Sequence, residues 1–243
     1  MEENDSDYDH IEPSEEVGPD PIVTNALSTL IIYDPVAEFP ELVPEEKPTE
    51  LPPLRQPLEI KQHRIDVISN SVGKHRFPST YKQFKDQINN KIITELDTER
   101  IVPSKSSNSI SMFTEPKRDI PQAARFLLDC ITRNLVRHKD KTLMLGMEQI
   151  KDFIGSRPFT SNLDLTNGYH NIRIHPDSVS DSTFTCHIGK FDSLVMHQGD
   201  SNAPATMMKA MNYLFREVKD QMIYLDYILI ANYTHEEHIN TVR

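Results

Sequence analysis

Apolar residues recur along the chain with helical periods in two long segments. In residues 80–99 they are spaced by three and four, which predicts a helix with one buried stripe and with Ser79 as its N-cap. That stripe comprises Tyr81, Phe84, Ile88, Ile92 and Leu96. Residues 202–219 form a second predicted helix, with Pro204 in its first turn, where a missing N–H is tolerated. Its expected inward stripe comprises Met207, Met211, Leu214 and Val218.

Shorter segments predict strands and two further helices. Residues 147–154 have a helical pattern, and Thr234 followed by Glu237 forms a capping box that predicts a final helix. The expected strands are residues 110–113, 125–131, 159–165, 170–174, 182–187 and 194–196. This order of elements indicates an α+β fold in which helices cover one face of a sheet.

Residues 222–231 contain two short apolar β-runs that meet at a tight turn, with Asp226 at its tip. A charge at this place is costly unless a cation or a partner meets it, so Asp226 is either a metal ligand or an ordinary turn residue. Asp164 also lies at the end of an apolar run. If the two strands are neighbours, both carboxylates point at one spot, where they could hold a pair of divalent metals about 4 Å apart for phosphoryl transfer.

Charge and proline divide the chain. Residues 1–60 hold 16 acidic side chains against two basic ones and ten of the 17 prolines, whereas residues 61–243 have a net charge of +3. We therefore expect an acidic, disordered tail over residues 1–50, a lead-in segment over 51–78 and a folded domain over 79–243. The apolar patch at residues 26–33 could bind a protein partner. The mildly basic body is compatible with a phosphate-bearing partner.

Several other functional classes are not indicated. Cys130 and Cys186 form no CxxC pair, which argues against a disulfide framework or cysteine zinc site and fits an intracellular setting, cytoplasmic or nuclear. We expect no signal sequence, because the chain does not open with a basic and then apolar segment. No apolar run approaches about 18 residues, so no membrane span is predicted. His235 and His238 lie one turn apart, and a surface role is preferred to a metal site. The basic residues Lys117, Arg118 and Arg125 could bind phosphate or be ordinary surface charge.

Short motifs follow one another along the second part of the chain, at residues 51–55, 63–65, 101–106, 116–119, 124–129, 133–134, 163–174, 198–206, 224–230 and 236–238. Each motif alone is weak, but their order and spacing together are specific. With these motifs the chain resembles the reverse transcriptases of Ty3/gypsy-type long-terminal-repeat retrotransposons from about residue 51 to 243. The resemblance implies a fingers–palm fold, with an antiparallel sheet and helices packed on one face. Because the chain stops soon after the last catalytic motif, we expect a truncated domain without a thumb.

The resemblance also implies roles for individual residues. Asp164 and Asp226 would be catalytic ligands of Mg²⁺ or Mn²⁺, together with the Leu165 carbonyl oxygen. Tyr169 would lie under the incoming sugar and exclude a 2′-hydroxyl, while Gln198 and Gly199 would lie against the nucleotide. The triphosphate would be bound by Lys117 or Arg118, with Arg125. The implied partners are deoxynucleoside triphosphates and an RNA or DNA primer–template.

Several residues depart from the family pattern. Tyr227 replaces the second acid of the last catalytic motif, and a neutral phenol is no substitute for a carboxylate as a ligand of a hard cation. His197, Ile131 and residues 142–144 also differ from the usual pattern. Two alternatives follow: an RNA-directed DNA polymerase domain that acts through two metals and is impaired by Tyr227 and the missing thumb, or a non-catalytic retroelement remnant that at most binds nucleic acid or protein. An unrelated α+β binding domain is a remote third possibility.

Overall fold

The computed structural model describes residues 51–52, 62–68, 82–142 and 144–243. All of them belong to one compact unit, Val43–Arg243. The predicted acidic tail, most of the lead-in segment and the predicted N-cap Ser79 lie outside the described residues. Among the residues described, no helix is both long and apolar enough to span a membrane.

The described chain alternates short strands with helices. The helices are α1 (Lys85–Asp97), α2 (Ile131–Leu135), α3 (Met147–Ile154), α4 (Ala203–Leu214) and α5 (His235–Val242). The strands are β1 (Gln62–His63), β2 (Ile101–Pro103), β3 (Ile110–Pro116), β4 (Ala124–Leu128), β5 (Phe159–Asp164), β6 (Arg173–Ile174), β7 (Phe184–Cys186), β8 (Gly189–Ser193), β9 (Gln221–Tyr224) and β10 (Tyr227–Asn232). The expected α+β class is confirmed.

Two sheets and one strand pair organise these strands. The palm sheet, as we call the three-stranded one, has the order β5-β10-β9 with both pairs antiparallel. The fingers sheet has five strands in the order β2-β8-β7-β3-β4, and only its β3–β7 pair is parallel. Strands β1 and β6 form a separate parallel pair. The first predicted catalytic motif, residues 163–174, therefore begins on β5, beside the hairpin that carries the last predicted one.

The palm core follows from the period of two on β10. Ile228 and Ile230 alternate onto one face and are buried there. Helix α4 covers that face with Met207, Met208 and Met211, and Val242 of α5 packs against the same cluster. Flexible methionine side chains fill the irregular space between helix and sheet. The stripe predicted for α4 is thus core at Met207 and Met211.

Some predicted elements end elsewhere. Helix α4 stops at Leu214, and its last helical hydrogen bond runs from the Phe215 N–H to the Met211 carbonyl oxygen at 2.9 Å. Because the helix does not continue, Leu214 and Val218 are not carried onto its buried face. Both are exposed, so their predicted burial is wrong. Within the predicted helix of residues 80–99, the residues that the structure describes form a 3-10 turn, Lys82–Phe84, followed by α1; Thr80 and Tyr81 lie outside the described residues. Residues 168–171 form a 3-10 turn rather than the start of a strand. Residues 194–196 form only an isolated bridge, and the strand missed there is β8.

Candidate active site

The two predicted catalytic acids lie at the same end of neighbouring strands. Asp164 is the last residue of β5 and is exposed, whereas Asp226 is half-buried in the β9–β10 turn. The backbone joins the two segments because the Leu165 N–H donates to the Asp226 carbonyl oxygen at 3.0 Å. That the two carboxylates share a metal remains a prediction.

The β9–β10 turn is held by its contacts with α4 and with the turn after β5. Leu225 has a φ of 60°, a left-handed conformation that side-chain-bearing residues rarely adopt. Its N–H points at the Met208 sulfur at 3.1 Å. A Cβ on Gly168 would lie 2.8 Å from Met207 Cε and 3.1 Å from Asp226 Cβ. Glycine at position 168 therefore leaves the space that the Asp226 side chain needs.

Tyr227 begins β10 beside Asp164. The two residues are directly paired in the antiparallel ladder, and the Tyr227 side chain is 41% exposed. Directly paired residues project to the same face of a sheet, so the Tyr227 and Asp164 side chains leave the sheet side by side. No group of three or more His, Cys, Asp or Glu side chains suited to a metal occurs among the described residues.

Hard oxygen donors are nevertheless available for one divalent cation. The Asp164 and Asp226 carboxylates and the Leu165 carbonyl oxygen are of the kind that Mg²⁺ and Mn²⁺ prefer. The Leu165 oxygen accepts the Gly168 N–H at 3.1 Å, and a carbonyl oxygen has a second lone pair for a metal. The donor set therefore fits one cation better than a pair.

Two of the residues predicted to contact the nucleotide line one cavity. Tyr169 and Gln198 both border a cavity of about 150 Å³, together with Leu127 of β4. Burial, and then the nearby Asp226 charge, raises the pKa of Tyr169, so its phenol stays neutral. Gly199, next to Gln198, has a φ of 94°, a conformation that favours glycine. The cavity thus lies between the fingers strand β4 and the turn that follows β5.

The predicted phosphate-binding residues are brought together only in part. Lys117 and Arg125 are exposed, and both line a second cavity of about 370 Å³. This cavity has His170 and His197 in its wall, as does the smaller one. Arg118 borders neither of these two cavities. The geometry therefore favours Lys117 over Arg118 as the partner of Arg125.

Both shared histidines have a lowered pKa. Burial, and then repulsion from the His170 ring whenever that ring is protonated, lowers the pKa of His197 well below its usual value. Burial also lowers the pKa of His170. The rings meet edge to face with their centroids 6.3 Å apart, and the enclosed Nε2 of His197 has no hydrogen-bond partner. His197, noted in the sequence only as a departure, thus forms part of the wall between both cavities.

A buried charged cluster beside the site was missed by the sequence analysis. It consists of His63, Arg133, Arg137 and Asp200, all below 9% exposure. Burial alone would raise the pKa of Asp200, but contact with His63 and the charges of Arg137 and Arg133 outweigh it and hold that pKa well below its usual range. Asp200 lies inside the motif of residues 198–206, which was the only available signal.

Comparison with known proteins identifies the family of this chain. The family model described as reverse transcriptase (RNA-dependent DNA polymerase) matches residues 68–243. The chain therefore belongs to the reverse transcriptase family. The resemblance to reverse transcriptases of Ty3/gypsy-type retrotransposons is confirmed, because the curated relatives are transposon polyproteins.

Two relatives illustrate how much of a polyprotein the chain represents. It is 27% identical over 202 residues to the retrovirus-related Pol polyprotein from transposon 297 of Drosophila melanogaster, which covers 76% of this chain and 19% of that protein. It is also 27% identical over 230 residues to the transposon Tf2-7 polyprotein of Schizosaccharomyces pombe, covering 91% of this chain and 16% of that protein. The chain thus spans less than a fifth of the length of each.

Solved structures of foamy viral protease-reverse transcriptase have the same fold. The structure in complex with RNA/DNA hybrid has a TM-score of 0.69 at 18% identity and covers 91% of this chain and 28% of that chain. A dRH form in complex with double-stranded DNA has a TM-score of 0.67 at 22% identity, covering 76% and 32%. The expected fingers–palm architecture is confirmed at the level of the fold.

Proposed function

We propose that this chain binds a primer–template and a deoxynucleoside triphosphate, and that it retains a weak RNA-directed DNA polymerase activity. The observation that carries the proposal is that Asp164 ends β5 while Asp226 lies in the adjoining β9–β10 turn, bonded through its carbonyl oxygen to the Leu165 N–H. The Asp226 charge also reaches Tyr169, whose pKa it raises and which lines a cavity together with Gln198. Foamy viral structures with double-stranded DNA and with RNA/DNA hybrid support nucleic acid as the partner. An intracellular location, expected from the free thiols of Cys130 and Cys186, belongs to the same proposal.

In this proposal each side chain acts through its position. Asp164 and Asp226 would hold a divalent cation, Mg²⁺ or Mn²⁺, with the Leu165 carbonyl oxygen. Such a cation would supply Lewis-acid chemistry: a lower pKa for the primer hydroxyl and compensation of charge on the departing pyrophosphate. The Tyr169 ring fills the space that a 2′-hydroxyl would need. Gln198 contacts the nucleotide, while Lys117 and Arg125 bind the triphosphate through charge-assisted hydrogen bonds.

The proposed activity is weak because of Tyr227. An acid at this position would add a third carboxylate beside Asp164 and one more negative charge for a second cation. A phenol adds neither, and its ring lies where that carboxylate would be. A two-metal site is therefore weakened on the side of Asp164, while the donors for one cation remain.

The phenol at position 227 also favours a second candidate function, a nucleic-acid-binding remnant without chemistry. The two candidates differ in whether Asp164 is needed for any product to form. They agree in predicting that the chain binds a primer–template. The experiment below separates them.

The test is primer extension with the purified chain, Mn²⁺ or Mg²⁺, and a short RNA template annealed to a DNA primer. We expect slow addition of single nucleotides, loss of this product in Asp164→Asn, and faster addition in Tyr227→Asp. Extension that survives Asp164→Asn would contradict the proposed site. Primer–template binding without extension, even by Tyr227→Asp, would favour the remnant. Rapid synthesis of long products by the unchanged chain would contradict the assigned effect of Tyr227.

A further inference from the structure

Asp200 is the centre of a buried ion cluster that joins distant segments. His63 Nε2 lies 3.3 Å from its Oδ1, and Arg133 Nη2 lies 3.5 Å from its Oδ2. Arg137 Nη1 donates a hydrogen bond to Oδ1. The Asp200 side chain is 2% exposed, and the Arg137 side chain is fully enclosed. The cluster thus ties the segment after Gln198 to β1, α2 and the chain after α2.

The partners of Asp200 are themselves held in place. Arg133 Nη1 donates to the Asp181 carbonyl oxygen at 3.1 Å, and Arg137 Nη2 donates to the Arg64 carbonyl oxygen at 3.0 Å. His63 Nδ1 contacts Thr206 Oγ1 of α4 at 2.9 Å. The Asp200 Oδ1 atom accepts a hydrogen bond from the fixed Arg137 guanidinium and lies against the fixed His63 ring, so the carboxylate has little freedom to move and the backbone of residue 200 is held with it.

The loop on either side of Asp200 carries the nucleotide-side residues. Its carboxylate accepts the Asn202 N–H at 3.1 Å, which fixes the start of α4. Asn134 bridges the loop from outside: its Nδ2 donates to the Gly199 carbonyl oxygen, and its Oδ1 accepts the Ser201 N–H, both at 2.9 Å. The backbone that directly follows Gln198, from Gly199 to Asn202, is therefore held by one buried carboxylate and one side-chain amide.

Stability alone is a weak reason for such a cluster. Burying charges removes their hydration, and well-packed apolar residues of similar volume often stabilise a fold equally well. A network of fixed donors and acceptors, in contrast, specifies one arrangement of the backbone. The cluster lies directly behind the loop of residues 198–201, which carries Gln198. A single, fixed backbone arrangement of this loop would fix the position of Gln198 as well.

We propose that Asp200 is a positioning residue that holds the loop of residues 198–201 so that Gln198 faces the nucleotide cavity. This inference rests on the proposed function as far as the nucleotide is concerned. Asp200 itself touches no substrate in this role. It acts through the backbone of its own loop, and Arg137 and Arg133 act through Asp200.

The test compares Asp200→Asn with Asp177→Asn in the full chain. Both changes remove one carboxylate charge that is paired with arginine, but the Asp177 side chain is 73% exposed and lies in a surface pair with Arg64. Two quantities are measured: amide hydrogen exchange by NMR at Ser201 and along β10, and the Kd of dGTP in the presence of Mg²⁺ and a primer–template.

We expect Asp200→Asn to accelerate exchange at Ser201 about tenfold or more and to weaken dGTP binding about fivefold or more, a difference near 1 kcal/mol. Exchange along β10 should change less than twofold, and Asp177→Asn should resemble the unchanged chain. An unaltered Ser201 amide in Asp200→Asn overturns the inference. Equal acceleration at Ser201 and along β10 also overturns it, because the role is then only structural.

Two further outcomes are decisive. If the unchanged chain binds no dGTP, the proposed function fails, while selective loosening of Ser201 still supports the positioning of the loop. If Asp200→Asn does not fold, Arg133→Gln removes one cation but leaves the Asp200–Arg137 pair, and selective loosening of Ser201 is again expected. Collapse of both variants overturns the inference in favour of a purely structural cluster.

Discussion

Tyr227 lies directly across from Asp164 in the antiparallel ladder between β10 and β5. The pairing brings a phenol and a carboxylate to the same face of the palm sheet, at the edge where the hairpin turn presents Asp226. A cation held by the two acids would therefore have the Tyr227 ring as its neighbour. Because of its pairing with Asp164, position 227 is where a substitution tests the proposed cation site most directly.

Replacement of Tyr227 by aspartate should strengthen cation binding. The variant places a third carboxylate beside Asp164, so we expect Mn²⁺ to bind about tenfold more tightly, as measured by titration calorimetry or by paramagnetic broadening of NMR signals from residues 164–168. Tyr233→Asp is the control, because it adds the same charge beyond the far end of β10, roughly 20 Å away at about 3.3 Å per residue. Equal gains in both variants would point to a nonspecific charge effect.

Gly168 should tolerate a side chain poorly. An added Cβ would meet Met207 Cε at 2.8 Å and Asp226 Cβ at 3.1 Å, so in Gly168→Ala the flexible Met207 side chain must turn aside and the β9–β10 turn must shift slightly at Asp226. We expect a loss of about 1–3 kcal/mol in the free energy of unfolding, measured by urea denaturation. Gly189→Ala is the matched control, since its Cβ would meet only Phe191 ring atoms at 3.6 and 3.7 Å. A Gly168→Ala variant as stable as the control would show that the turn can shift freely.

Arg125 should matter more than Arg118 for the triphosphate. Arg125 and Lys117 line one cavity, whereas Arg118 borders neither of the two cavities described above. A hydrogen bond between charged groups contributes roughly 1.5–3 kcal/mol, so Arg125→Ala should weaken dGTP binding about tenfold or more. Arg118→Ala should change it less than twofold. Both affinities are measured as the Kd of dGTP. A larger loss of affinity in Arg118→Ala than in Arg125→Ala would place the triphosphate on the outer side of the β3–β4 hairpin.

The stability of the fold should fall as the solution becomes acidic. The pKa of His197 is well below its usual value in the folded chain, because burial disfavours the charged ring. The unfolded chain therefore binds more protons below about pH 6.5, and the neutral ring's contribution to stability, fully present above that pH, is lost as the pH falls. The slope approaches about 1.4 kcal/mol per pH unit for one proton, and His170 acts in the same direction.

This pH dependence can be assigned by substitution. His197→Phe removes the buried titrating ring, so urea denaturation between pH 5 and 7 should give a shallower slope than in the unchanged chain. His187→Phe is the control: His187 is exposed and bonded to Asn89 at 3.0 Å. If both variants keep the original slope, another group must bind the proton.

The sequence by itself determined the local elements and the two acids. Helix α3 spans the predicted residues 147–154, and the Thr234–Glu237 capping box starts α5 with both of its hydrogen bonds. The sequence also predicted the β9–β10 hairpin with Asp226 in its turn. These features are local, because a helical period, a cap or a turn depends on residues within a few positions of one another. The order and spacing of the motifs along the chain also indicated the family to which it belongs.

Only the tertiary structure decided which distant side chains meet. The stripe of α4 continues in the sequence to Val218, but the helix ends at Leu214, where the chain turns toward β9. The cluster around Asp200 joins residues 63 to 200, and the pairing of Tyr227 with Asp164 depends on strand order. Contacts between segments so far apart depend on which surfaces pack together, and the free energy of that packing belongs to the whole fold rather than to any one segment.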